Sequence, residues 1–462
     1  MKLAVIGASK GQYSLCLKAR ELGMETFCFA WDKDAVCKTI VDHFYPIDIF
    51  DTERIIGICK EQGIQGVVSN GSDITAEVQA KVSDILGLNG TPYHVFHSLR
   101  DKYYIRRCLD TVEGLSQPRY YKYQGNDLQI YPCVVKPCVG SSKYGITYVD
   151  SPKNFRKAID YAKKVDCNDI LIEEFVDGKE ISVETISFHG QHEIVQITDK
   201  DACMPPHFAE TGHHQPADLP KDLSCRIKKI VPAILTVIGF TNGASHIEMK
   251  YAGSEIFVIE VNPRGGGGYI SQVLTYLSSG IDYLAAIIKV ALNTFQGVQS
   301  LKDKNESFSG VYFLCKQSEQ NLPLFTNTTD ESWIVEKKMT SNQITESITN
   351  NDRSTYLIYQ SDHKIGAITR HVFSLKDFNL GKQMFIDFMQ HIEVKGRTGF
   401  WGGTHDKMWK ENSVLAYFEA DKIISCMVMN EKTNQEFALP CVSNHVFEEM
   451  RNAKKLFETS YM

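Results

Sequence analysis

Apolar runs and amphipathic stretches alternate along the first hundred residues. Residues 3–6 read as a buried strand, 7–11 as a glycine turn and 13–22 as a helix. Residues 25–30 form a second strand, 52–61 a helix, 66–69 a further strand and 76–86 another helix. Helices between successive strands predict a small doubly wound parallel domain over residues 1–97. Such sheets bind ligands at the carboxyl ends of their strands, which singles out residues 69–73. The turn Gly7-Ala8-Ser9-Lys10-Gly11 lacks the spacing of a dinucleotide fingerprint and is read as helix packing.

The pattern changes near residues 91–101. A helix over 101–109 carries Lys102, Arg106 and Arg107, and YPCVVKP is a strand that ends in Lys136-Pro137. The next segment, VGSSKYG with Ser141 and Ser142, leads straight into a strand at 146–149. A P-loop would lead into a helix, and no GxxxxGK[ST] occurs. A hairpin loop of this kind can fold over phosphates with its backbone N–H groups, with Lys136 at its mouth as a point charge. Residues 153–164 form an amphipathic helix. DILIEEF is a strand containing Glu173 and Glu174, and a turn through Val176 and Glu180 leads to a strand at 181–188. Backbone groups there suit an adenine edge, with Glu180 accepting from ribose hydroxyls. Residues 201–219 show no periodicity and are expected to be a loop. Residues 223–238 follow as a helix, and 271–292 as helical segments broken near Gly280. Beyond residue 310, strands at 311–315, 356–359, 367–373, 415–419 and 423–429 and helices near 377–390 and 445–457 predict a smaller α+β domain. The glycine–aromatic stretch 396–405 within it is either a loop at the active site or a turn.

The stretch with the most chemistry is HIEMKYAGSEIFVIEVNPRGGGG, residues 246–268. Two alternating segments flank a tight turn, so Glu248 and Glu260 fall almost opposite each other, with carboxylates roughly 5 Å apart. Such a pair repels unless a cation lies between them. Asn262 leaves the same face as Glu260. Two carboxylates and an amide oxygen are hard ligands suited to Mg²⁺ or Mn²⁺. Arg264 adds a fixed cation, and the glycines after it, Gly266 among them, allow close approach. A solvated glutamate pair and a plain turn remain the alternatives for this stretch taken alone.

Bulk properties narrow the class. The net charge of −6 argues against nucleic acid or an anionic membrane as the main partner. Thirteen cysteines without a CxxC pair point to reduced thiols and a cytoplasmic protein. No apolar run is long enough to span a bilayer. Cys203, His207, His213 and His214 match no structural zinc spacing.

Taken in order, Asp101-Lys102, Val135-Lys136-Pro137, the 140–145 loop, Glu173-Glu174-Phe175-Val176, Gly178-Lys179-Glu180, then Glu248, Glu260, Asn262 and Arg264 resemble the ATP-grasp superfamily. The likeness is nearest to carboxylate–amine ligases of the L-amino-acid ligase type, in Glu210-Thr211-Gly212-His213 as well as in the acidic hairpin. The resemblance implies an α/β and α+β multidomain chain: a doubly wound pre-ATP-grasp domain at 1–97, a two-lobed ATP-grasp domain at 98–309 divided near 180, and a small α+β domain at 310–462. It implies Lys102 and Lys136, with Ser141 and Ser142, on ATP phosphates; Glu173, Glu174, Val176 and Glu180 around the nucleoside; and Glu248, Glu260 and Asn262 on Mg²⁺ or Mn²⁺. Glu210, His213, Arg264 and Gly266 would line the substrate pocket, with Arg264 and Lys136 acting in the reaction. The implied activity joins a small-molecule carboxylate to an amine, amino acids by the family likeness, through an acyl phosphate, and leaves room for a homodimer. Two rival readings are a bicarbonate-using carboxylase or carbamoyl-type enzyme, and a nucleotide-binding regulator without turnover.

Overall fold

The structure, a computed structural model, describes residues 1–126, 130–140, 144–166, 169–203, 208–300, 307–326, 332–340, 344–347, 353–365, 372–377, 381–394, 409–410, 413–419, 422–430 and 435–439. The chain divides into two units, one of residues 1–325 and 330–365, the other of residues 326–329 and 366–462.

The first unit begins with β1 (Lys2–Ile6), α1 (Lys10–Glu21), β2 (Glu25–Ala30), β3 (His43–Pro46), α2 (Thr52–Gln62), β4 (Gly66–Val68) and α3 (Asp73–Leu86). The four strands are parallel in the order β3-β2-β1-β4. The half-exposed strand β3 escapes a reading by apolar runs, since it is an edge strand of four residues ending in Pro46. The carboxyl ends of β1 and β4 bring residues 9–11 and 71–74 to one large cavity, as the topology of such sheets requires.

Helices α4 (Tyr93–Ser98) and α5 (Lys102–Leu109) lead into a small antiparallel sheet. Asp101 caps α5 by accepting from the amides of Tyr103 and Tyr104. The sheet comprises β5 (Tyr120–Lys122), β6 (Cys133–Pro137), β7 (Thr147–Val149) and β8 (Ile170–Glu174), in the order β5-β8-β6-β7. Between β7 and β8, α6 (Pro152–Ala162) lays Phe155, Ala158, Ile159 and Ala162 on Val135, Val149 and Ile172.

The central sheet has eight strands. Its members in chain order are β9 (Lys179–Phe188), β10 (Gln191–Ala202), β11 (Glu210–Gln215), β12 (Gly243–Ala252) and β13 (Glu255–Asn262), then β14 (Phe308–Phe313), β15 (Ile334–Lys338) and β16 (Tyr356–Ser361). They stand in the order β13-β12-β9-β10-β11-β14-β16-β15. One face of β9, β10, β12 and β13 packs Ile181, Val183, Ile197, Ile247, Met249 and Val258 against α7 (Lys221–Val237), through Leu223, Ile227, Ile230, Val231, Ile234 and Leu235. The opposite face carries charge. After β13 come α8 (Thr275–Ser279), broken from α9 (Tyr283–Ala291) at Gly280, whose φ of +70° ends the turn.

Two expectations change here. Residues 210–215 are a buried strand inside the sheet and not part of a loop. ETGHHQ has no apolar alternation because both of its faces meet polar groups, and hydrophobic periodicity cannot mark such a strand. Residues 308–361 do not start a separate domain at 310, since β14 pairs with β11 and extends the central sheet. The break falls at 366, after β16, and a short α10 (Leu322–Thr326) lies between β14 and β15.

The second unit holds an antiparallel sheet of β17 (Val372–Ser374), β18 (Ser413–Glu419), β19 (Lys422–Asn430) and β20 (Gln435–Leu439), with α11 (Gly381–Val394). Leu375, Phe385, Met389, Val414, Ala416, Cys426 and Val428 form its core. The expected helix at 445–457 and the loop at 396–405 lie outside the described residues. Among the described residues no helix is long and apolar enough to cross a membrane.

Candidate active site

Glu248 on β12 and Glu260 on β13 are direct cross-strand partners, and His246 faces Asn262. The register slips between Glu248 and Met249, because Met249 pairs with Val258 while Glu248 pairs with Glu260. Ile259 is therefore the extra residue of a β-bulge. A bulge reverses side-chain parity, so Val258 joins the core and Glu260 faces the cavity. The cavity has a volume of about 1310 Å³.

Adjacent strands add further charges to the same face. Lys250 of β12 and Lys200 of β10 are both register partners of Glu180. Lys200, with 1% of its side chain exposed, lies 3.1 Å from Glu180, 3.0 Å from Glu210 and 2.9 Å from Glu248. Burial opposes its charge, but Glu210, Glu248 and Glu180 outweigh that and hold its pKa well above the ordinary lysine value. Burial alone would raise the Glu248 pKa; Lys200 and His246 instead hold it well below the usual carboxylate range. His246 bridges two carboxylates, Glu184 through Nδ1 and Glu248 through Nε2 at 3.2 Å. Burial disfavours its charge, yet Glu184 and Glu248 bring its pKa up to about 9, so the ring is an imidazolium at neutral pH.

The lysines expected on phosphates form a second cluster. Lys102 Nζ lies 3.1 Å from Glu260 Oε1 and donates to the Gly140 carbonyl at 2.9 Å. Lys136 is buried and pairs with Glu173 Oε2 at 2.5 Å, while Arg106 Nε holds Glu173 Oε1 at 2.5 Å. Burial lowers the Lys136 pKa against the pull of Glu173. Glu173 itself, which burial would raise, is brought down to about 2 by Arg106 and Lys136. Its carboxylate thus orients two cations. The Glu174 side chain turns to Arg119, at 3.1 Å from each of its nitrogens Nε and Nη2, which leaves any adenine contact to its backbone. The Val176 carbonyl accepts from Lys250 Nζ at 3.2 Å. Ser141 and Ser142 lie outside the described residues.

On β11 a bulge at Thr211 places Glu210 on the face of His213, since Glu210 pairs with Ala202 and Gly212 with Asp201. His213 and His214 are 1% exposed, not surface residues. His213 Nδ1 meets the Gly268 carbonyl at 2.9 Å. A carbonyl only accepts, so Nδ1 carries the proton. Burial lowers the His213 pKa, and the neutral ring presents Nε2 as an acceptor 3.3 Å from Glu210 Oε2. Both atoms accept, so a proton donor lying beside the pair can bond to the two at once. His214 belongs to the other face, with Asp201 at 2.9 Å and Tyr359 at 3.0 Å.

Arg264 Nε binds Asp73 Oδ1 at 2.5 Å, and so reaches the first turn of α3 in the parallel sheet domain. Burial would lower its pKa, but Asp73 raises it. The glycines after it have steric causes. A Cβ on Gly266 would lie 2.8 Å from both Glu184 Oε1 and His246 Nδ1, and the Gly266 amide donates to Glu184 Oε2 at 2.9 Å. Gly268 has φ +58°, and a Cβ there would lie 2.5 Å from His213 Cε1. Gly266 thus touches buried side chains that support the site and does not itself line the large cavity.

The structure gathers Lys102, Lys136, Glu173, Glu174, Val176, Glu180, Glu210, His213, Glu248, Glu260 and Arg264 around one cavity. Asn262 lines a smaller one of about 40 Å³ with Lys102, Lys136, Glu260 and Arg264. Reading the sequence missed Lys200, His246, Glu184 and Arg353, while Asp73 falls in the strand-end segment 69–73 that it singled out. The alternation of β9 and β12 carried the signal for Glu184 and His246; Lys200 needed the strand register. Among the described residues no three His, Cys, Asp or Glu side chains converge as a metal centre. The donors that fit a hard divalent cation are the paired carboxylates of Glu248 and Glu260 with the Asn262 amide, and their chemistry suits Mg²⁺ or Mn²⁺.

Residues 129–273 match a family model described as an ATP-grasp domain. Human carnosine synthase 1 is 28% identical over 155 residues, 34% of this chain and 19% of that protein, so the chain spans about a fifth of that relative. Formate-dependent phosphoribosylglycinamide formyltransferase of Mycolicibacterium gilvum is 28% identical over 331 residues, 63% of this chain and 77% of that one. Among solved structures, the L-amino acid ligase from Bacillus licheniformis superposes with a TM-score of 0.64 at 21% identity, covering 78% of this chain and 93% of that one. Phosphoribosylglycinamide synthetase from Anaerococcus prevotii gives 0.63 at 18% identity, covering 78% and 94%.

Proposed function

From the premise that this chain carries an ATP-grasp domain and has the ATP-grasp fold, we propose that it is an ATP-dependent carboxylate–amine ligase working through an acyl phosphate. The observation that carries this reading is the cross-strand pair Glu248–Glu260 facing a cavity that Lys102, Lys136 and Arg264 also line. The substrate carboxylate attacks the γ-phosphorus of ATP, giving an acyl phosphate and ADP. An amine then attacks the carbonyl carbon and phosphate leaves. The protein's part is orientation and charge stabilisation.

Lys136, fixed by Glu173, and Lys102 would meet the phosphates. Glu180 would take the ribose hydroxyls, and the backbone of Glu174 and Val176 the adenine edge. Glu248, Glu260 and Asn262 would hold Mg²⁺ or Mn²⁺, which when bound offsets phosphate charge. Arg264, held by Asp73, would face the developing oxyanion. The His213–Glu210 acceptor pair would receive the substrate ammonium and take a proton from it as the amine becomes nucleophilic. Small-molecule amino acids are the substrates this arrangement favours.

The test is ADP release across pairs of amino acids with mass detection of the product, run with and without bicarbonate and with hydroxylamine as a trap. A hydroxamate and an amide product support the reading. ADP release that depends on bicarbonate alone, with no amide, replaces it with a carboxylase. Lys136→Ala should weaken ATP binding and turnover while the protein stays folded.

A further inference from the structure

Arg353 lies just before β16, beyond the stretch that matches the ATP-grasp family model. Its side chain is only 7% exposed, yet it lines the large cavity. Glu210 and Phe313 both hold the guanidinium. Nη1 binds Glu210 Oε2 at 2.8 Å, and the group lies over the Phe313 ring, 4.4 Å from its centre, as a cation–π contact. Phe313 continues into an aromatic wall. Tyr269 lies 6.3 Å from it and 4.6 Å from Tyr356, centre to centre, and all three line the cavity. Tyr269 holds φ +69°, a left-handed conformation unusual for a bulky residue, and opens a π-helical turn at Ile270–Leu274. Both features concentrate at ligand sites.

The guanidinium is one hydrogen bond from Glu210 Oε2, the same oxygen that forms the acceptor pair with His213 Nε2. An α-amino acid has a donor end and an acceptor end separated by one carbon. A site with ammonium acceptors and a guanidinium that close together has the pattern to match.

We propose that Arg353 determines specificity for the amine-bearing substrate by binding its free carboxylate, and that the substrate is an α-amino acid whose apolar or aromatic side chain rests on Tyr269, Phe313 and Tyr356. This rests on the ligase reading above. A monoanionic carboxylate fits better than a phosphate, because a dianion placed beside the Glu210 carboxylate would need more than this one guanidinium.

The experiment uses the full chain with ATP and Mg²⁺ and an amino-acid acyl donor found active in the ligase screen. The amine probes are L-phenylalanine, L-leucine and L-histidine, each as free acid and as methyl ester. Wild type, Arg353→Gln and Arg353→Lys are compared by amide product and by KM for ATP. We expect the kcat/KM ratio of free acid to ester to fall on the order of 10²-fold in Arg353→Gln, through KM for the amine, with KM for ATP unchanged. Arg353→Lys should recover only part of it, since the planar fork is lost. A wild type that makes amide but uses acid and ester alike overturns the assignment of Arg353 and leaves the ligase reading intact. Equal losses for acid and ester in Arg353→Gln make the residue a structural partner of Glu210 and also overturn it. If no probe or acid yields hydroxamate or amide in the wild type, the ligase reading fails first.

Discussion

Ile181 and Val183 on β9, Ile197 on β10, and Ile247 and Met249 on β12 point to one face of the central sheet; Glu180, Ser182, Glu184, Lys200, His246 and Glu248 come from the same strands and point to the other. The first face gains stability from area, and no single contact there requires a particular partner. On the second, Lys200 meets three carboxylates and His246 meets two. Each group there is tolerable only because another is present. The apolar face fixes the sheet, and the polar face uses that rigidity to hold charges near a cavity where ligands can change their partners.

The comparison breaks most readily at Lys200. Lys200→Met leaves Glu180, Glu210 and Glu248 without their shared buried cation, and the expected cost is about 3–5 kcal/mol. Urea unfolding at neutral pH reads it. Adding Glu210→Gln should recover part of the loss, because one of the stranded carboxylates is then neutral. A loss below about 1 kcal/mol would show that the polar face is not organised by this lysine.

Met249, wholly buried on the opposite face, offers the matching measurement. Met249→Ala should cost about 3 kcal/mol, from lost transfer energy plus the cavity left behind. This cost should not vary between pH 6 and pH 9, since nothing that titrates is removed. A pH-dependent penalty would mean that the two faces are coupled through the sheet.

How far the two faces were legible in the sequence follows from the same contrast. Alternation within 181–188 and on both sides of the turn in 246–268 identified these strands and the Glu248–Glu260 pairing, because period two is a local property. Lys200 was invisible as a site residue, since its three partners come from strands that meet only in the folded register. Strand β11 was read as a loop because its neighbours are polar on both sides. The glycines at 265–268 were read as freedom for a ligand, whereas Gly266 and Gly268 answer to Glu184, His246 and His213. Residues beyond 310 looked like a new domain, for a strand's sequence does not say which sheet edge it will extend.

His246 gives the next effect by size. Its pKa is raised to about 9 from an ordinary 6.5, so the stabilisation is fully present below about pH 6.5 and is lost as pH rises through about 9. The shift corresponds to about 3 kcal/mol. The urea midpoint of the wild type should fall between pH 6.5 and 9.5, and His246→Gln should lose most of that slope. Glu184, Glu248 and the Gly266 loop surround the ring, so an unchanged slope would place the alkaline loss elsewhere.

The smallest effect tests the polar face at its neutral member. Ser182 sits between Glu248 on β12 and Thr198 on β10, is wholly buried, and among the described residues its hydroxyl has no hydrogen-bond partner. A buried hydroxyl without a partner costs free energy, so Ser182→Ala should be neutral or stabilising by up to about 1 kcal/mol. The sign distinguishes it from every charged neighbour, whose removal destabilises. If charge pairing alone organises this face, turnover in the variant should also stay at the wild-type level, because the hydroxyl holds none of Lys200, His246 or Glu248. A destabilisation above 1 kcal/mol together with slower amide formation would mean that Ser182 bonds to something present only in solution or in the working complex. The polar face would then depend on that bound group as well as on its own ion pairs.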